Sequence, residues 1–86
     1  MEKFMRKFTQ LNGKKAKILL EHCLFEKQLF HCEVLQTIND DKRIGLVLRK
    51  QDIFMYKQDI KLAKNHDNMY IISDGKFTIT IIVNKM

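Results

Sequence analysis

Two identical dipeptides, His22-Cys23 and His31-Cys32, stand within ten residues of each other, and a third histidine, His66, follows. Imidazole and thiolate are ligands that zinc favours, so the two pairs supply a tetrahedral set on paper. Neighbours along a strand point to opposite faces, however, so each dipeptide offers only one donor to a given side. Structural zinc pairs usually come from knuckles such as Cys-x-x-Cys, and the chain has none. Cys32 also shares the register of Phe30 and Val34, the setting of an ordinary buried thiol. The expectation is no metal, no disulfide and no cofactor.

Catalytic patterns are equally sparse. Asp40-Asp41 and Asp52 with Asp59 supply carboxylate pairs, but turns and strand ends hold such residues by default. Ser73 is the one serine, next to a turn signal rather than in a nucleophile elbow. Gly13, Gly45 and Gly75 are isolated, so no glycine-rich phosphate loop exists. These absences favour a binding protein over an enzyme. The tripeptide Tyr56-Lys57-Gln58 is more suggestive, because a ring, a cation and an amide together can stack a base, hold a phosphate and read a base edge. An exposed turn with ordinary polar residues is the plain alternative.

The charge balance bears on the partner. The chain has a formal net charge of +6, and residues 1–20 hold Lys3, Arg6, Lys7, Lys14, Lys15 and Lys17 against Glu2 alone. A basic imbalance favours a polyanionic partner, although a solvated basic surface would look the same. No apolar run approaches the roughly 18 residues that cross a membrane. The basic start lacks an apolar stretch of signal-peptide length behind it, so a cytoplasmic location is expected. Two cysteines kept as thiols agree with that compartment. Abundant Lys, Ile and Asn suggest an AT-rich, bacterial genome.

Positioning these residues falls to short elements. Phe4, Phe8 and Leu11 recur on one face of a helix over residues 1–11, with Met1 one turn before Phe4, and Lys3, Arg6 and Lys7 fall on the other face. Asn12-Gly13 supplies a left-handed stop. From Lys14 the period becomes two: Ala16, Ile18 and Leu20 mark a first strand. After a break at Leu24 to Lys27, Phe30, Cys32 and Val34 mark a second that runs on to Ile38. Asn39 to Lys42 is a turn by composition. Ile44, Leu46 and Leu48 make a third strand; Ile53 and Met55, with Phe54, a short fourth; Ile60 and Leu62 a fifth piece. Asp74-Gly75 between β-branched runs predicts a two-residue hairpin over residues 68–84, with both central positions at positive φ.

The 86 residues fit a single domain, with a barrel core over residues 14–63. The fold class is mainly β: a small, strongly bent antiparallel barrel of SH3-like or Sm-like shape, with a short N-terminal α-helix and an extra C-terminal β-hairpin.

In the order of its elements the chain resembles the Sm-like family of small barrels over about residues 4–63. The likeness is carried by Phe8-Thr9-Gln10-Leu11-Asn12-Gly13-Lys14 as helix end and turn, and by Leu29-Phe30-His31-Cys32-Glu33-Val34 as the second strand. The acidic turn at Asn39 to Lys42 follows, and Ile53-Phe54-Met55-Tyr56-Lys57-Gln58-Asp59-Ile60 is similar to the closing segment of the bacterial Hfq-type members. Cys32 stands where that family has a glycine at the bend of the second strand, and Gln58 where it has histidine. The resemblance implies a ring of about six or seven copies built by strand pairing, a closed symmetric assembly. It also implies single-stranded RNA held at Asn39, Lys42 and Arg43 and at Tyr56, Lys57 and Gln58. The basic helix face, Lys3, Arg6 and Lys7, is a second candidate surface. The alternative is a protein-interaction or assembly module of small-barrel fold that binds no nucleic acid. DNA binding ranks lower, because no recognition-helix motif is present.

Overall fold

The computed structural model of the protein describes residues 2–84. Met1, the first member of the expected helical face, lies outside them. The helix α1 (Glu2–Phe8) runs into a 3-10 turn at Thr9–Leu11. Phe4, Phe8 and Leu11 are buried, as their spacing requires. The rings of Phe4 and Phe8 stack at 5.6 Å, and Tyr70 meets both edge-on at 6.1 and 6.3 Å. This apolar face docks the helix, since seven residues have no stability as a helix on their own. Gly13, at φ +78°, ends it as expected.

Eight strands follow among the described residues: β1 (Lys15–His22), β2 (Phe25–Glu33), β3 (Gln36–Asn39), β4 (Arg43–Val47), β5 (Asp52–Tyr56), β6 (Leu62–His66), β7 (Met69–Ser73) and β8 (Phe77–Val83). They form two antiparallel sheets, one in the order β2-β1-β8-β7-β6 and one in the order β3-β4-β5. The fold is thus mainly β with one N-terminal helix. The strand pairing does not close the sheets into a barrel. The inner faces carry Ala16, Ile18, Ile72, Ile79 and Ile81 from the first sheet and Ile44, Leu46, Ile53 and Met55 from the second.

Four expectations are revised. The break after β1 is only Cys23–Leu24, not Leu24 to Lys27. The His22 Nδ1 accepts the Leu24 N–H at 3.1 Å, and a bulge between Leu20 and His22 lets pairing restart at His22 opposite Phe25. The second strand does not run unbroken to Ile38. Its chain changes sheets at Val34-Leu35, where Val34 still bonds Gly13 and Lys14 beside β1 while the Leu35 N–H already donates to Val47 at 3.0 Å. The C-terminal hairpin is not an appendage to a core ending at residue 63. β8 pairs along β1 from Ala16–Val83 to His22–Phe77, and β6 pairs with β7, so the hairpin lies inside the larger sheet. Finally, only Gly75 takes positive φ in the Asp74-Gly75 turn, at +97°. The Asp74 carboxylate accepts the N–H groups of Lys76 and Phe77 at 2.9 and 2.7 Å, which puts Asp74 ahead of the two central residues.

The sheet-to-sheet bend needs no glycine at Cys32. The close approach lies instead at Gly45 in the middle of β4, where an added Cβ would run into the backbone of β5, including the Phe54 Cα at 2.6 Å. Gly45→Ala should therefore lose about 1–3 kcal/mol of stability in urea unfolding, by overpacking against backbone that cannot yield. Gly13→Ala, which meets nothing within 4 Å, should lose only the left-handed backbone cost of about 1–2 kcal/mol. A Gly45→Ala variant as stable as the unaltered chain would show that Gly45 is not a close-approach position.

Candidate nucleic-acid interface

The turn between β3 and β4 is organised by one carboxylate. Asp40 Oδ1 accepts the backbone N–H groups of Lys42 at 2.9 Å and Arg43 at 2.6 Å, while Oδ2 accepts Arg43 Nε at 3.0 Å and lies 2.9 Å from its terminal nitrogen. The backbone N–H donors of Lys42 and Arg43, aided by the Arg43 guanidinium, hold this carboxyl below its ordinary range. The same ion pair orients Arg43, whose guanidinium lies 5.2 Å from the centre of the Phe54 ring.

Strand β5 supplies the aromatic part. Ile53 and Met55 are buried, so the alternation turns Phe54 and Tyr56 to the outer face of the small sheet. They are 39% and 49% exposed and meet edge-to-face at 5.7 Å. Tyr56 stands directly opposite Arg43 in the ladder and Phe54 opposite Gly45, so no side chain lies directly across from the ring and the diagonal Arg43 reaches over it. The result is a ring–ring–guanidinium surface.

Beyond Tyr56 the chain enters a 3-10 turn at Lys57–Asp59. The Lys57 N–H donates to the Lys42 carbonyl at 2.7 Å, and its Nζ donates to Asn39 Oδ1 at 2.7 Å. This ties the β5 end to the β3–β4 turn and places the ammonium beside a neutral amide, so its charge is not cancelled there. One shallow hollow of about 370 Å³ is lined by Asp40 to Arg43 and Tyr56. Another, of about 490 Å³, is lined by Glu2, Met5, Arg6, Asn39 and Lys57.

Asn39, Lys42, Arg43, Tyr56 and Lys57, expected from two separate loops, thus stand together, and Arg6 of the helix joins them. Lys3, Lys7 and Gln58 are exposed but line neither hollow. Phe54, grouped above with the strand's core positions, is the residue that sequence reasoning missed. Its place between inward Ile53 and Met55 was the available signal.

The His-Cys dipeptides do not converge. His22 packs against Phe25 and Phe77 with ring centres at 5.1 and 6.3 Å, whereas His31 lies opposite Lys17 in the ladder. Cys23 is exposed; Cys32 is half-buried, and that burial raises its thiol pKa. Among the described residues no three His, Cys, Asp or Glu side chains gather as a metal site.

Asp40 and Asp74 shape turns through the same kind of bond, and both carboxyls are held below the ordinary Asp value by backbone N–H donors. A depressed folded pKa gives stability that is present above the unfolded value, near 3.9, and is lost as pH falls through the folded one. Thermal melts should therefore show the midpoint dropping as the pH falls below about 4. Asp40→Asn with Asp74→Asn should flatten that drop; an unchanged profile would mean these turns carry no linkage.

No family model matches the chain, and no curated protein or solved structure matches it either.

Proposed function

We propose that the protein is a non-catalytic binder of single-stranded RNA, a distant relative of the Sm-like barrels that works as a homo-oligomer. The observation that carries this reading is the outward Phe54–Tyr56 pair beside Arg43, with Lys42 and Lys57 at its border. Bases of any sequence stack on exposed aromatic rings, and cations at the border track the phosphates. Arg43 keeps its ring contact while paired to Asp40, so Lys42, Lys57 and Arg6 carry the phosphate side. The face is open and shallow, which suits an unpaired strand more than a small molecule enclosed in a pocket. Several copies would multiply a weak contact per subunit through effective concentration.

Fluorescence anisotropy with labelled single-stranded RNA tests this reading. Tyr56→Ala and Phe54→Ala should each weaken binding about 5- to 150-fold, the range of one lost base stack. Lys57→Ala should weaken it and reduce the slope of log affinity against log salt by about 0.7, one phosphate contact on a single strand. Gln58→Ala should change affinity little. An RNA affinity untouched by Tyr56→Ala combined with Lys57→Ala would refute the site. Absence of any salt-sensitive RNA binding by the unaltered chain would move the assignment to a protein-interaction or assembly module, for which the apolar open edge of β2 speaks.

A further inference from the structure

The larger sheet has one outer strand that is both long and greasy. β2 spans nine residues and pairs only with β1. Leu24 is 78% exposed, Phe25 71% and Leu29 54%, and Leu35 completes a group of four among the seven large hydrophobic residues most exposed in the structure. A long edge of this kind, with unpaired backbone groups beside apolar side chains, is what proteins cover or pair.

The backbone polarity of that edge is readable. Asn84 N–H donates to the Lys15 carbonyl at 3.1 Å, so Lys15 faces β8, and its ladder partner Glu33 therefore faces away from β1. By alternation Leu29 and His31 also direct their N–H and C=O groups outward, while Lys27 lies at the bulge where it and Glu26 together face Glu21. A groove of about 520 Å³ runs alongside, between Leu29 to Glu33 on β2 and Leu48 to Gln51 on the following turn.

The geometry points to a second copy of this chain as the occupant: β2 pairs antiparallel with β2 across a two-fold axis at Phe30. This register puts Lys27 opposite Glu33 of the second copy and Leu29 opposite its His31, each pair occurring twice by symmetry. Leu29, His31 and Glu33 have backbones that face outward, as hydrogen-bonded pairs require. Phe30 meets its own copy on the axis. The charges also select this occupant. β2 carries Glu26 and Glu33 against Lys27 in an otherwise basic chain, whereas the groove wall carries Arg49 and Lys50; within one chain Lys27 lies 3.5 Å from Glu21, an exposed pair that it would exchange for Glu33 of the second copy. Sliding the register to centre on Leu29 would set Lys27 against His31 and lose the ion pairs. The pairing merges two five-stranded sheets into one continuous sheet and leaves the outer face of Phe54 and Tyr56, on the other sheet, uncovered.

Light scattering during size-exclusion chromatography of nucleic-acid-free full-length protein tests it. A dimeric mass, or an even multiple of it, is expected; a monomer across the micromolar range overturns the proposal. Lys27→Glu or Glu33→Lys alone should raise the dissociation constant of the pair at least tenfold, and the two together should restore it to within about threefold, by swapping both charges. Lack of that rescue would overturn the register. A second test tolerates less stable variants. Gln28 faces Cys32 of the second copy at a non-hydrogen-bonded position, with Cα atoms about 4.5 Å apart. With Cys23 replaced by serine, Gln28→Cys should cross-link to a covalent dimer under diamide, which takes up the two thiol hydrogens. The Cys23→Ser chain alone should stay uncross-linked. A cross-link yield no higher than in that control, or cross-linking only to an unrelated protein in cell extract, would overturn the assignment to a second copy. RNA binding can fail while these results hold, and the reverse is equally possible.

Discussion

Everything in this molecule depends on two adjacent residues sharing their backbone bonds between two sheets. Val34 accepts from Gly13 at 2.7 Å and donates to Lys14 at 2.8 Å, while Leu35 donates to Val47. Val34 is fully buried beneath this crossing. Were the chain straight there, β3 would remain beside the larger sheet, and the turn bearing Asn39, Lys42 and Arg43 would never reach β5. The helix is tied to the same junction, because Asn12 Oδ1 accepts the Thr37 N–H at 2.6 Å. Helix end, bend and first strand of the small sheet form one bonded unit.

A second constraint acts through absence. Gly45 lets β5 approach β4 closely, and it leaves the outer surface of β4 bare beneath Phe54. The aromatic pair is therefore a product of this close approach rather than an addition to it. Asp40 works in a similar double role. Its carboxylate satisfies two N–H groups of the turn and aims a guanidinium at the ring, so local backbone chemistry and surface chemistry share one side chain.

Periodicity made the elements legible and left their partners hidden. The helical face of Phe4 and Phe8, the stop at Gly13 and the strand around Ile79 follow from side-chain spacing, which is a local property. That β8 would sit beside β1 was not legible, since an alternating strand buries its apolar face equally well against either neighbour. The turn at Asp74 was misassigned in detail because an Asx bond competes with the Asp-Gly backbone preference, and only the closed structure shows which prevails. At the candidate interface, Tyr56 and Lys57 stood out by type and context. Phe54 did not, because a phenylalanine inside a strand reads as core until its neighbours are known to point the other way. The joining of the two loops by the Lys57–Asn39 bond spans 18 residues, and no spacing rule reaches that far.

The placement of β8 has a consequence for how the chain comes into being. It is the eighth strand made and the middle strand of a five-stranded sheet, bonded to β1 on one side and β7 on the other. A ribosome delivers β1 long before its second neighbour exists. Until β8 is made the hairpin of β1 and β2 must wait with two open edges, and closure requires pairing from His22–Phe77 to Ala16–Val83, across 55 to 67 residues of chain. Topologies of that kind fold slowly, and their waiting strands are exposed to wrong partners. The six cations gathered in the first twenty residues surround this early segment. Like charge on every nascent copy would keep neighbouring chains on a polysome apart until the last strand arrives.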